Sequence, residues 1–339
     1  MNGRAARIEA FLAAHGWADA ARTPIAGDAS FRRYERLERG AETSVLMDAP
    51  PPRENVRPFV SLARHLAELG LSAPRILAAD EEAGLLILED FGRANLARLV
   101  DDPATPRPEI ELWYGRAVDT LASLHRDARA RAAPAPPFGE ERYLREVGYL
   151  LDWYWPTVMT VPLTRALRAN YLEAWRSTIP LARQAPETLV LFDFFPDNIM
   201  PLPDREGAAA CGLLDFQDAV IGPATYDLVS LVEDARRDLA PEFKASLKAR
   251  YLDAFPALDR QAFEASYAAM SAQRNTRIVG VFTRLSVRDG KPNYLRHIPR
   301  VWSLVDRALA HPALGGLKAW FERHMPQGAR HVPRQDNGH

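Results

Sequence analysis

Two short apolar runs, 188–192 (TLVLF) and 212–216 (GLLDF), interrupt a chain whose second half otherwise reads as helix. Each has the length and character of a strand, and each delivers an acidic residue, Asp193 after the first and Asp215 within the second. The residues that follow are Asp193-Phe194-Phe195-Pro196-Asp197-Asn198 and Asp215-Phe216-Gln217-Asp218. Phosphoryl transfer needs a carboxylate to orient and deprotonate the attacking hydroxyl, and hard oxygen ligands for the Mg²⁺ that neutralises the phosphates. A D-x-x-x-x-N segment followed by a strand-end D-F-x supplies these parts, with Asp193 as base and Asn198 and Asp215 as metal ligands. Either motif alone is as readily a turn or a cap. Their order, behind a strand-rich first segment, is what points to a kinase.

That first segment alternates strands with one helix. Residues 30–37 (SFRRYERL), 43–48, 75–79 and 85–89 (LLILE) read as strands, and 60–69 has helical spacing that stops at Gly70. Beyond Asn95 helices dominate, as in 113–125. The expected fold class is α+β: a small N-lobe with an antiparallel sheet (1–91), a larger helical C-lobe (92–325), and a cleft between them. The polar stretch 326–339 reads as a disordered tail.

Composition narrows the partners. Lys and Arg (43) balance Asp and Glu (44), so no global field draws the chain to nucleic acid or anionic lipid. The 47% hydrophobic content contains no apolar run long enough to span a bilayer, and the start is an amphipathic helix carrying Arg4, Arg7 and Glu9. The single cysteine, Cys211, can form neither an intrachain disulfide nor a multi-cysteine metal site, and it reads as inert. A cytoplasmic protein without an obligate protein partner is expected.

The chain resembles the aminoglycoside phosphotransferase family of protein-kinase-like enzymes, which includes choline and sugar kinases. The resemblance is carried by 85–92 (LLILEDFG), 121–125 (LASLH), 193–198 (DFFPDN), 213–219 (LLDFQDA) and 226–231 (YDLVSL). Within the family it is most similar to the anomeric kinases of cell-wall recycling, through 27–34 (GDASFRRY), 45–60, 213–231 and 284–300. The resemblance implies ATP as donor, Mg²⁺ as cofactor, and N-acetylmuramate or N-acetylglucosamine as acceptor. It implies a phosphate-covering turn with Ser30, Phe31 and Arg32, a strand position at Met47, and a hinge at Glu89, Asp90 and Phe91 that presents backbone to adenine. Leu191 and Phe195 stand where the family usually has histidine. Met47 stands where a lysine is expected, which leaves phosphate charge to Arg32, Arg33 and the metal. Glu54, without that lysine, is expected at the surface.

Acceptor recognition is sought in 145–156 (REVGYLLDWYWP) and 284–294 (RLSVRDGKPNY). Glu146 could grip hydroxyls and Trp153 and Tyr154 could stack on a sugar ring; the aromatic residues could equally be core anchors. Arg284 and Arg288 could hold a carboxylate or phosphate, or sit in a solvated loop. The reading is a sugar 1-kinase. A kinase for another acceptor such as an aminoglycoside, and a nucleotide-binding pseudokinase, stay open.

Overall fold

Alternating apolar residues in the first ninety positions make strands with one face to bury, and two amphipathic helices supply the partners. The computed structural model describes residues 2–25 and 31–333. Helix α1 (Asn2–Ala14) precedes β1 (Ala21–Ile25), β2 (Arg33–Arg39) and β3 (Glu42–Asp48); α2 (Arg57–Glu68) leads to β4 (Ile76–Asp80) and β5 (Leu85–Glu89). The five strands form one antiparallel sheet in the order β1-β2-β3-β5-β4. Ile8, Phe11 and Leu12 of α1 pack with Leu37, Leu46, Leu85 and Ile87 on one face of this sheet. Sequence periodicity missed β1, whose Pro24 marks it as non-strand; the strand lies at the sheet edge, where a missing N–H is tolerated.

Helices α3 (Leu96–Asp101) and α4 (Arg107–Arg126) follow, then α5 (Glu140–Tyr149), a π-turn (Leu150–Tyr154) and α6 (Trp155–Val158). Next come α7 (Arg165–Arg176), α8 (Ile179–Ala182), β6 (Glu187–Val190), β7 (Ile199–Pro201), β8 (Cys211–Leu213) and β9 (Val220–Pro223). The remaining helices are α9 (Thr225–Val232), α10 (Pro241–Asp253), α11 (Arg260–Val287), α12 (Ile298–Leu309) and α13 (Gly315–His324). The architecture is α+β and kinase-like, with the strand-rich part first and the larger helical part after it.

Two compact units emerge from this order: Met1–Ala135 with Pro196–Asp218, and Pro136–Phe195 with Ala219–His339. In the first, the β7–β8 hairpin joins the sheet-bearing part through a bridge from Ser72 to Gly212, and the turn at Gly207–Ala210 packs on α4. Gly212 is required there, because a Cβ would lie 2.7 Å from the Phe91 ring. In the second, α11 is the central helix, packed against α5, α8, α9 and α12. Asp259 caps it by accepting from the Gln261 and Ala262 N–H groups. Residues 326–333, which composition marks as tail, are held here: the Tyr154 hydroxyl donates to the Ala329 and His331 carbonyls, and Arg330 pairs with Asp306. Among the described residues no helix is long and apolar enough to cross a membrane. Cys211 is buried and its thiol pKa is pushed up to about 11 by desolvation, so it stays protonated.

The approach of α11 to the end of α5 depends on one missing side chain. A Cβ at Gly280 would stand 2.3 Å from the Tyr149 carbonyl carbon, backbone against backbone. Gly280→Ala is therefore expected to lower unfolding free energy by about 3 kcal/mol. Gly148→Ala, within α5, meets nothing within 4 Å and should be neutral or stabilising by under about 1 kcal/mol. Urea melts of the two variants beside the parent check the contrast.

Candidate active site

The motif that begins at Asp193 straddles the two units, so its halves are taken in turn. In the second unit, β6 pairs antiparallel with β9 and ends at Val190. The chain then turns sharply: the Asp193 N–H bonds the Leu191 carbonyl at 2.9 Å across Phe192, whose φ is +75°. This is a γ-turn of the strained hand, on a bulky residue that rarely enters positive φ. Such a conformation costs about 1–3 kcal/mol and persists only when its surroundings over-determine it.

The surroundings do so from three sides. The carboxylate of Asp227, on α9 and fully buried, accepts the Leu191 N–H at 2.6 Å and the Phe192 N–H at 2.9 Å. The Phe192 ring stacks on Tyr226 with centroids 4.9 Å apart and planes 8° from parallel. Guanidinium groups of Arg142 and Arg277 stand 4.2 and 4.7 Å from the same ring. Desolvation pushes the Asp227 pKa up to about 7, against the pull of its two N–H donors; the nearby Asp193 charge adds to the rise.

Asp193 emerges from this turn half-buried. Its charge is felt at Arg274 and Arg277 of α11. Arg236 lies over the Phe195 ring at 5.1 Å. Glu146, offered above as a sugar ligand, is buried: it accepts from Arg142 at 2.9 Å and Gln273 at 3.1 Å, and lies 3.8 Å from Arg277. It orders the arginines around the Phe192 turn. Trp153 is half-buried, whereas Tyr154 is sealed against Trp302 with its hydroxyl committed to residues 329 and 331. The Arg284 guanidinium lies 5.4 Å from the Tyr149 ring, and Arg288 is exposed and held by Asp289 at 2.6 Å.

In the first unit, Asn198 and Asp215 are brought together by the β7–β8 hairpin, in which Ile199 pairs Leu213 and the Leu214 N–H bonds the Asn198 carbonyl at 3.0 Å. Asn95, the N-cap of α3, steadies the loop by donating to the Asp197 carbonyl at 2.8 Å. Asp215 has φ +58° and a side chain 47% exposed, although Leu213 and Phe216 beside it are buried. Phe216 stacks on Phe59 of α2, with centroids 4.9 Å apart. Gln217 donates to one Asp215 oxygen at 2.7 Å. A carboxamide and a carboxylate at neighbouring positions of one hairpin are hard oxygen donors of the kind that hold Mg²⁺ alongside phosphate oxygens.

Met47 is buried in β3, between Tyr34 and Leu86. A cation near the hairpin is Arg32, whose Nη1 lies 3.9 Å from Asp215 and whose Nε donates to Glu54 at 3.1 Å. Glu54 is thus not a surface residue: its side chain is 13% exposed, and it also accepts the Phe31 N–H at 3.0 Å. Phe31 itself is exposed beneath Arg53. Ser30 and the rest of the expected phosphate turn, 27–30, lie outside the described residues. At the expected hinge, Asp90 binds Arg36 bidentately at 2.6 and 2.9 Å, Glu89 pairs with Arg75 and Arg205, and Phe91 packs on Gly212. These contacts fix the segment's side chains in place.

Sequence reasoning missed Asp227, Arg142, Arg236, Arg274 and Arg277. A signal existed for the last two: 273–277 (QRNTR) is a polar interruption in a helix otherwise rich in Ala, Val and Phe.

Comparison with known proteins bears on the family and the fold. Residues 21–263 match the model of a family described as the phosphotransferase enzyme family. The N-acetylmuramate/N-acetylglucosamine kinase of Caulobacter vibrioides is 37% identical, covering 96% of this chain and 98% of that protein. The protein of the same name from Pseudomonas aeruginosa is 36% identical, covering 93% of each. Among solved structures, a choline/ethanolamine kinase family protein from Mesorhizobium loti superposes with a TM-score of 0.61 at 15% identity, covering 94% of this chain and 99% of that one.

The buried Asp227 yields a pH signature. It titrates near 7 in the folded protein, against 3.8 when exposed, so the folded state holds the proton more tightly. Its contribution to stability is fully present below the unfolded value and is lost as pH rises through about 7. Asp227→Asn is neutral throughout and lacks this dependence. The stability gap between parent and variant should be widest near pH 4 and shrink by up to about 4 kcal/mol by pH 8. Urea melts across that range check it; a gap that widens with pH would show a carboxylate held ionised.

Proposed function

The chain belongs to the phosphotransferase enzyme family, and from that membership we propose that it transfers the γ-phosphoryl group of ATP to the anomeric hydroxyl of N-acetylmuramate and N-acetylglucosamine. The reading is carried by Asp193, presented on a strained turn that Asp227 clamps through two backbone N–H groups. Relatives of that name, aligned over nearly the whole chain, support the acceptor.

In this reading residues 1–91 cover the nucleotide and 92–325 carry the chemistry and the acceptor. Asp193 aligns the hydroxyl and takes its proton as the oxygen attacks the γ-phosphorus. The bond from that phosphorus to the bridging oxygen breaks, ADP leaves with the electron pair, and the proton passes from Asp193 to solvent. Asn198 and Asp215 would hold Mg²⁺, which when bound neutralises phosphate charge. Arg32 supplies a cation to the phosphates, and Glu54 positions it. The hinge backbone at residues 89–91 receives adenine. A sugar 1-phosphate made in the cytoplasm is suited to activation as a nucleotide sugar for cell-wall synthesis.

Two measurements test this. With ATP, Mg²⁺ and a panel of N-acetylmuramate, N-acetylglucosamine, glucose and kanamycin, the parent should form an acid-labile 1-phosphate from the two N-acetylated sugars only. Asp193→Asn should lower kcat by about 10³-fold. No transfer to any acceptor while ATP still binds would make the chain a pseudokinase. Separately, Glu54→Gln should raise the KM for ATP about tenfold and leave the KM for sugar within about twofold; an equal rise in both would remove Glu54 from the nucleotide site.

A further inference from the structure

Arg274 is a buried cation with no carboxylate in direct contact. Its residue is 4% exposed, yet its one hydrogen bond is a 3.4 Å contact to the Glu233 carbonyl. Among the described residues no carboxylate lies within 4.0 Å of its guanidinium. Arg36, the other arginine buried among the described residues, is paired with Asp90, and the partly buried Arg237 and Arg330 pair with Asp234 and Asp306. The nearby acids are otherwise engaged. Glu233 accepts from Ser271 and Asn275, and Asp234 holds Arg237. Burying a charge is costly unless it is paired, so a guanidinium left this way is explained by an anion that arrives with a ligand.

Its position says which ligand. Arg274 and Arg277 are α11 residues at which the Asp193 charge is felt, which puts them on the side of the unit that carries the proposed base. Arg277 already has Glu146 at 3.8 Å. Arg236, its guanidinium 5.1 Å from Phe195, 5.9 Å from Phe282 and 5.8 Å from Tyr294, is a second cation held in an aromatic cage two residues past Asp193. Arg284, expected from sequence to take an acceptor anion, is about 15 Å further along α11, and Arg288 is held by Asp289.

We infer that Arg274, together with Arg236, is the subsite for the lactyl carboxylate of N-acetylmuramate. The inference rests on the acceptor reading above. N-acetylmuramate is N-acetylglucosamine carrying a lactic acid ether on O3, so its carboxylate is the one charged group that separates the two sugars. A guanidinium fork can bind that carboxylate through two hydrogen bonds and is left as it now stands when the smaller sugar occupies the site.

The test varies the charge on both partners. For the parent, kcat/KM is compared between N-acetylmuramate and its methyl ester, with N-acetylglucosamine alongside. The acid should be preferred over the ester by about tenfold or more, and Arg274→Gln should reduce that preference to within about twofold. A parent indifferent to esterification overturns the inference. So does a variant that keeps the preference, or one that loses activity on both sugars in equal proportion, since the cation would then serve Asp193 or the fold. Should Arg274→Gln fail to fold, Arg236→Gln carries the same comparison, a shrunken preference supporting the subsite and an unchanged one overturning it. A parent inert towards both sugars removes the acceptor reading itself, and the subsite with it.

Discussion

The second unit is organised around one carboxylate that reaches two backbone N–H groups. Asp227 bonds Leu191 and Phe192, so a turn that a phenylalanine would ordinarily avoid becomes the resting conformation. Everything near the proposed base follows from that grip. β6 and β9 bring the turn and α9 to the same place, Tyr226 stacks on the buried Phe192 ring, and arginines close over it. The side chains at 191 and 192 are apolar, so the loop is held by its backbone and by packing, without a polar residue ahead of Asp193.

The electrostatic arrangement has a similar economy. Glu146 is a single buried acid that engages Arg142, Gln273 and Arg277. It sets the direction of the guanidinium groups without neutralising all of them. In the first unit Glu54 does the corresponding work for Arg32. Both acids are recognised by what they hold.

The fold was legible where the signal was local. β5 occupies 85–89, as its unbroken apolar run suggests, and β3 and α2 lie within a few residues of their expected limits. The strand that leads to Asp215 could be read because strand and acid are contiguous in sequence, whereas its partner β7, three residues long, carried no signal. Asp227 could not, because its partners are 35 and 36 residues away and its role is to accept from backbone, which leaves no mark in side-chain pattern. Glu54 was misplaced for a related reason: its partner was sought at the lysine position in β3, where Met47 is buried, whereas it holds Arg32, just ahead of β2. The aromatic run at 153–155 offered two uses, and Tyr154 at least took the core one, sealed beside Trp302.

The path of the chain between its two units has a consequence for how the molecule is made. The first unit draws on residues 196–218, so it lacks a hairpin until synthesis has passed well into the second. Until then Ser72 has no Gly212 to bridge, Thr120 of α4 lacks the Ala208 carbonyl, and Arg205 is not there for Glu89. A ribosome that pauses after residue 135 holds a sheet with an unfinished flank. Vectorial folding of the first unit therefore stops short of completion, and the last strands to join it are the ones that carry its oxygen donors.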